Sequence, residues 1–142
     1  MSKRVGFRLV GPGLNVSDLS RSLDFYTELL GFKEIARHEL DDLTEAVLAY
    51  EAAGPWLMLV ARPEQPRPVA TTEWGRVALA VPDVRRLARE LTTAGHAATD
   101  PVTVEIGGRS LTVVSANDPD GHALELVEVG AIVSEHVSLT NI

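Results

Sequence analysis

Three landmarks of this 142-residue chain occur twice at nearly constant spacing. Val16-Ser-Asp18 returns as Val81-Pro-Asp83, an offset of 65. Gly31 returns as Gly95, an offset of 64, and Gly54-Pro-Trp-Leu-Met-Leu returns as Gly121-His-Ala-Leu-Glu-Leu, an offset of 67. Changes in loop length produce drift of this size, so the chain reads as two copies of one unit. The duplication narrows the choice of fold sharply. A unit of about 60 residues buries too small a share of its surface to be more than marginal alone. Two such units are expected to complete one fold.

Both copies carry the same order of local signals. In the first, Leu14 and Val16 alternate with Gly13 and Asn15, as in a half-buried strand. Asp18 or Ser17 can cap a helix starting near Leu19. Leu19, Leu23, Tyr26 and Leu30 recur at helical spacing, with Phe25 and Leu29 widening the stripe, and Gly31 is expected to end the helix. Lys33 to Leu40, Glu45 to Glu51 and Trp56 to Ala61 read as strands separated by turns at Asp41-Asp42 and Gly54-Pro55. In the second copy Arg76 to Val81 alternates and Asp83 caps a helix. Val84, Leu87, Ala88 and Leu91 form its stripe before Gly95. Val102 to Ile106 and Arg109 to Ser115 form a hairpin about Gly107-Gly108. Asn117-Asp-Pro-Asp-Gly is dense turn chemistry, and Ala123 to Glu128 is the last strand. Between the copies Pro63, Pro66 and Pro68 mark an extended linker.

Charge and composition bear on partners. There are 13 Lys+Arg against 20 Asp+Glu, a formal net charge of −7, and no basic run. Nucleic acid, which asks for a basic face, is not the expected partner. Excess acid ordinarily serves solubility; its sharper reading is a cationic ligand. The absence of cysteine excludes a disulfide framework, a thiolate metal site and a cysteine nucleophile. The basic residues after Met1 are not followed by the apolar run of a leader, and no apolar stretch approaches the roughly 20 residues of a membrane span. A cytoplasmic location without a membrane partner is expected.

Asn15-Val-Ser-Asp-Leu-Ser-Arg-Ser-Leu-Asp-Phe-Tyr-Thr-Glu-Leu-Leu-Gly-Phe resembles the opening of the vicinal oxygen chelate superfamily, which includes glyoxalases, bleomycin-resistance proteins and extradiol dioxygenases. Asn117-Asp-Pro-Asp-Gly-His-Ala-Leu-Glu-Leu resembles its closing motif. The resemblance covers about residues 9–129. It implies an α+β fold: two βαβββ modules forming a cup-shaped mixed sheet with helices on the outer face. The expected organisation is one domain over residues 1–142. It comprises a first module at 9–61, a Pro-rich linker at 62–74, a second module at 75–129 and a C-terminal extension at 130–142. In that extension Ile132, Val133 and Val137 are expected to dock on the domain or on a dimer partner. Family members of this size are commonly twofold dimers, so a homodimer is implied, with the cup lying within one chain or between two.

The resemblance also implies where a metal would sit. Enzymes of the family hold one divalent ion through the first and last strands of each module. Counted from the matched motifs, those positions are Gly11 and Met58, then Arg76 and Glu125. Only Glu125 suits a hard or borderline cation. Gly11 has no side chain, Met58 offers a thioether, and Arg76 is a permanent cation. No metal and no cofactor are therefore expected. Instead Arg76 and Glu125 are expected to be cross-strand neighbours that pair, the guanidinium standing where the ion would.

Candidate catalytic residues are Glu125 as a base, Arg76 as an anion-binding fork, and His38, the one histidine expected on a cup strand. Candidate ligand-binding residues are Trp56, Met58, Trp74, Tyr50 and Asn15. Parity places Trp56 and Met58 on one face with Leu57 and Leu59 under the helix, and Trp74, Arg76, Ala78 and Ala80 together in the second module. Two tryptophans could stack on a planar ligand; their ordinary alternative is core packing. For the ion pair the alternative is a structural remnant, and for His38 a surface residue. Three functions follow. The first is a metal-free binder of a small antibiotic or metabolite, as in the bleomycin-resistance branch. The second is a cofactor-independent isomerase, cyclase or lyase using Arg76 and Glu125. The third, a metal-dependent glyoxalase-like or dioxygenase-like enzyme, has the missing ligands against it.

Overall fold

Each copy of the repeat folds into a four-stranded mixed sheet with one helical segment beside it. The computed structural model describes residues 6, 9–62, 64, 76–106 and 108–128. Trp74, nearly all of the linker, and the extension carrying Ile132, Val133 and Val137 lie outside the described residues. The chain divides into two units, Met1–Val69 and Ala70–Ile142, and the division falls inside the expected 62–74 linker.

The first unit contains β1 (Gly13–Asn15), α1 (Leu19–Asp24), a π-helical turn (Phe25–Leu29), β2 (Lys33–Glu39), β3 (Thr44–Ala49) and β4 (Trp56–Ala61). The sheet order is β1-β4-β3-β2, with β1 parallel to β4 and the other pairs antiparallel. Asp18 caps α1 as its spacing predicts, its carboxylate accepting from the Arg21 N–H at 3.0 Å. The stripe differs from a regular helix. The Leu30 N–H donates to the Phe25 carbonyl five residues back, and the Phe32 N–H to Tyr26. The extra residue in the turn re-phases the stripe. Phe25 and Tyr26 are both buried, Leu23 and Leu29 only partly, and Ser22 enters the core beneath them. Gly31, at φ 75°, ends the segment where expected. Phe25 meets Tyr26 edge-on at 5.2 Å, Tyr26 meets Phe32 at 6.0 Å, and Phe32 stacks on Tyr50 at 4.0 Å. These rings close one side of the sheet over Leu14, Leu48, Leu57 and Leu59.

The second unit contains β5 (Val77–Val81), α2 (Val84–Thr93), β6 (Val102–Ile106), β7 (Arg109–Asn117) and β8 (Ala123–Glu128), in the order β5-β8-β7-β6. Again the first strand is parallel to the last and the remaining pairs are antiparallel. Asp83 caps α2 through the Arg86 N–H at 3.0 Å, and Glu128 accepts from the Val84 N–H at 3.2 Å. Both carboxylates face the positive end of the helix. Past its C-terminus Gly95 sits at φ 89°. Its N–H donates to Thr92 and that of His96 to Leu91, the Schellman closure. The described part of this unit, residues 76–128, has no aromatic residue. Its core is aliphatic: Leu79, Val81, Val84, Leu91, Val114, Leu124 and Leu126. Each such side chain contributes about 1.5–3 kcal/mol when removed from water.

The duplication extends to strand register. Gly13 pairs with Met58 in the first sheet and Ala78 with Glu125 in the second, which are the offsets of 65 and 67 read from the sequence. Among the described residues no helix is long and apolar enough to cross a membrane.

Candidate functional site

Strand parity gives each sheet a helix-side face and an opposite face, called open below for its outward residues, although Val47, Ala49 and Val113 on it are buried. In the first unit Leu57 and Leu59 of β4 are buried on the helix side, so Trp56, Met58 and Val60 line the open face. Register extends that face into rows. Asn15, Val60, Glu45 and His38 form one; Gly13, Met58, Val47 and Ala36 form the next; Trp56, Ala49 and Lys33 form a third. Asn15, His38, Met58 and Trp56 therefore share one face of one sheet.

Their surroundings separate them. Asn15 accepts a hydrogen bond at 3.1 Å from Arg62, a residue that the sequence assigned to the linker. His38 is exposed on the edge strand β2, opposite Glu45. Met58 is half-buried between Gly13 and Val47. Trp56 is 36% exposed, but its indole N–H donates to the Ala52 carbonyl at 3.1 Å and its ring lies against Gly54. The 54–55 peptide bond beside it is cis. Tyr50 departs from the expected pocket. It follows Ala49 of the open face and so turns to the helix side, where its hydroxyl donates to the Leu30 carbonyl at 2.7 Å and its ring stacks on Phe32. Although the residue as a whole is 44% exposed, desolvation of its inward-turned hydroxyl pushes that group up to about 12.

In the second unit Leu124 and Leu126 are buried on the helix side, which leaves Glu125 and Val127 on the open face. Glu125 stands in a row between Ala78 and Ser115. Arg76, immediately before β5, lies on the side of Ala78 and Ala80 and reaches diagonally along the sheet. Its Nε donates to Glu125 Oε2. The pair is graded in exposure, with the arginine side chain 60% exposed and the carboxylate 22%. The small side chains of Ala78 and Ala80 leave the adjoining face open. Sequence reasoning missed Arg62, Glu45 and Ser115; the signal that finds them is strand register, which alternation alone does not supply.

The fold and these faces define a class. A family model described as the Glyoxalase/Bleomycin resistance protein/Dioxygenase superfamily matches residues 8–126, and the chain belongs to that superfamily. Among curated relatives, the chain is 30% identical over 135 residues to the lactoylglutathione lyase of Salmonella typhimurium, covering 85% of this chain and 92% of that protein. It is 29% identical over 126 residues to the lactoylglutathione lyase of Escherichia coli O157:H7, with the same coverage. Among solved structures it resembles the trypanothione-dependent glyoxalase I of Leishmania major, with a TM-score of 0.77 and 23% identity over 96% of both chains. It also resembles glyoxalase I of Zea mays, with a TM-score of 0.74 and 26% identity over 85% of this chain and 44% of that one.

The four positions that the resemblance assigns to a metal do not fit a divalent cation. At Gly11 the backbone passes so close to β4 that an added Cβ would lie 1.6 Å from the Trp56 carbonyl oxygen, so no donor side chain can stand there. Met58 presents sulfur, which suits soft ions only. Arg76 brings positive charge and engages Glu125, the one carboxylate. Among the described residues no group of three or more histidines and acids could hold an ion.

Proposed function

We propose that the protein binds a small organic molecule, an antibiotic or metabolite with an anionic oxygen, around Arg76 and without a metal. The Arg76–Glu125 ion pair carries this reading, because it occupies two of the four positions where the family's enzymes place metal ligands. The bond to Glu125 uses Nε. The outer edge of the guanidinium is left to grip a carboxylate or enolate oxygen with two parallel N–H donors. Glu125 holds the arginine in place, and Ala78 and Ala80 leave room beside it. On the first unit's own sheet, Trp56, Met58 and Asn15 are separate candidates for ligand contact.

A second reading is a cofactor-independent isomerase, cyclase or lyase. It is favoured by the half-buried carboxylate next to an exposed guanidinium, and by relatives named as lyases. Here Glu125 would take a proton from a carbon next to a carbonyl and Arg76 would donate hydrogen bonds to the enolate oxygen. In an isomerase the same proton returns at the neighbouring atom, and in a lyase the enolate expels a leaving group that takes the proton, so neither step needs an external oxidant. Both readings include a cytoplasmic homodimer.

Tryptophan fluorescence against a panel of anionic metabolites and antibiotics tests them. Arg76→Gln is expected to weaken binding about tenfold or more, the loss of a charge-assisted hydrogen bond. Glu125→Gln is expected to keep binding and, under the second reading, to abolish turnover. Undiminished binding by Arg76→Gln would overturn both.

A further inference from the structure

The outer side of α2 carries a different kind of site. A groove of about 420 Å³ runs between the helix and the segment that follows it. Its lining includes Arg85, Arg89, Thr93 and Asp100, over a floor containing Ala88 and Ala98. All of it lies within the second unit, on residues 85–101, away from the open face that holds Glu125.

Charge on α2 is distributed unevenly. Arg86 spends its guanidinium on Glu90 at 3.1 Å. Arg85 and Arg89 are one helical turn apart on the side facing the groove, and among the described residues neither they nor Asp100 forms an ion pair. Two like charges at this spacing cost a few tenths of a kcal/mol in an isolated helix. The opposite wall is fixed. Ala98 bridges to Ala116 of β7, and the Thr99 N–H donates to the Ser115 carbonyl at 2.9 Å. The Ser115 N–H donates to the Thr99 hydroxyl oxygen at 3.0 Å, and Pro101 follows Asp100 directly. The walls are thus held before any ligand arrives, which lowers the ordering cost of binding. The small side chains of Ala88 and Ala98 are what leave the volume open.

We propose that this groove binds a zwitterion of the size of an amino acid or dipeptide, its carboxylate on Arg85 and Arg89 and its ammonium on Asp100. Asp100 decides the class. A plain anion would gain the two arginines but meet the carboxylate on the facing wall, and a plain cation would meet the reverse. Only a molecule with both charges satisfies the three groups together. The groove is open to solvent, so affinity is set by pairs that water screens, and binding is weak.

The test is amide chemical-shift titration of the full chain with glycylglycine, its N-acetyl derivative, its C-terminal amide and inorganic phosphate. Glycylglycine is expected to move the amides of residues 85–100, and each blocked form or phosphate to bind about three- to fivefold more weakly. Arg89→Gln is expected to remove the preference for a free carboxylate, and Asp100→Asn the preference for a free ammonium. Both residues are exposed, so the fold is retained, which the unchanged spectrum elsewhere verifies. Equal binding of all four probes, phosphate binding as tightly as the dipeptide, or shifts that leave residues 85–100 unmoved would overturn the proposal.

Discussion

At Gly11 the backbone adopts φ 145° and passes against β4, with the Trp56 N–H donating to Val10 and the Met58 N–H to Pro12 on either side. Neither the dihedral nor the 1.6 Å approach admits a side chain. Gly11→Ala is expected to destabilise the protein by more than about 2 kcal/mol in a denaturant titration, and Gly11→His to do the same rather than create a metal ligand. Tyr50 supplies a second prediction. Its hydroxyl is raised to about 12 by burial, above the unfolded value of 10.0. The folded state therefore holds this proton more tightly. Its contribution to stability is complete below pH 10 and is lost as pH rises through 12. Ultraviolet titration of the wild type minus Tyr50→Phe should show phenolate forming near pH 12; a midpoint near 10 would contradict the packing described for this ring. Which residues stand at the four positions that the resemblance assigns to a metal was legible from the chain, because counting from the matched motifs needs only residue identity. The role of Tyr50 was not, because it depends on which face a residue at the end of β3 adopts and on the ring that waits there.

Elements divide along a similar line. Both helix starts follow from Asp18 and Asp83, whose short side chains satisfy N–H groups of the first turn better than the backbone can. Asp83→Ala is expected to cost about 1 kcal/mol in thermal or denaturant unfolding, and Asp18→Ala about the same. Strand positions and faces came from alternation, since a period of two fixes parity once one residue is known to be buried. The π-helical turn did not. Phe25, Tyr26, Leu29 and Leu30 are compatible with a regular helix by spacing, and the extra residue is what buries the two adjacent rings together. In the 117–122 turn, buried Asp118 accepts from the N–H groups of Asp120 at 2.9 Å and His122 at 2.8 Å. Asp118→Ala leaves both donors without that acceptor and is expected to cost about 1–3 kcal/mol, measured by the same unfolding transition.

For the whole molecule the repeat carried most of the information. Offsets of 64 to 67 implied two units of one design, and the units share strand order, helix capping and register. What the repeat does not copy is the content of the open faces. Glu125 in one sheet corresponds to Met58 in the other, and Arg76 corresponds to Gly11. Family membership does not settle the activity, because the same scaffold serves different chemistries. The central claim is that the Arg76–Glu125 pair replaces a metal ion. Equilibrium dialysis of the purified full chain against Ni²⁺, Zn²⁺ and Co²⁺, followed by elemental analysis, tests it most directly. Binding well below one ion per chain is predicted for the wild type. One ion per chain, lost in Glu125→Gln, would contradict it.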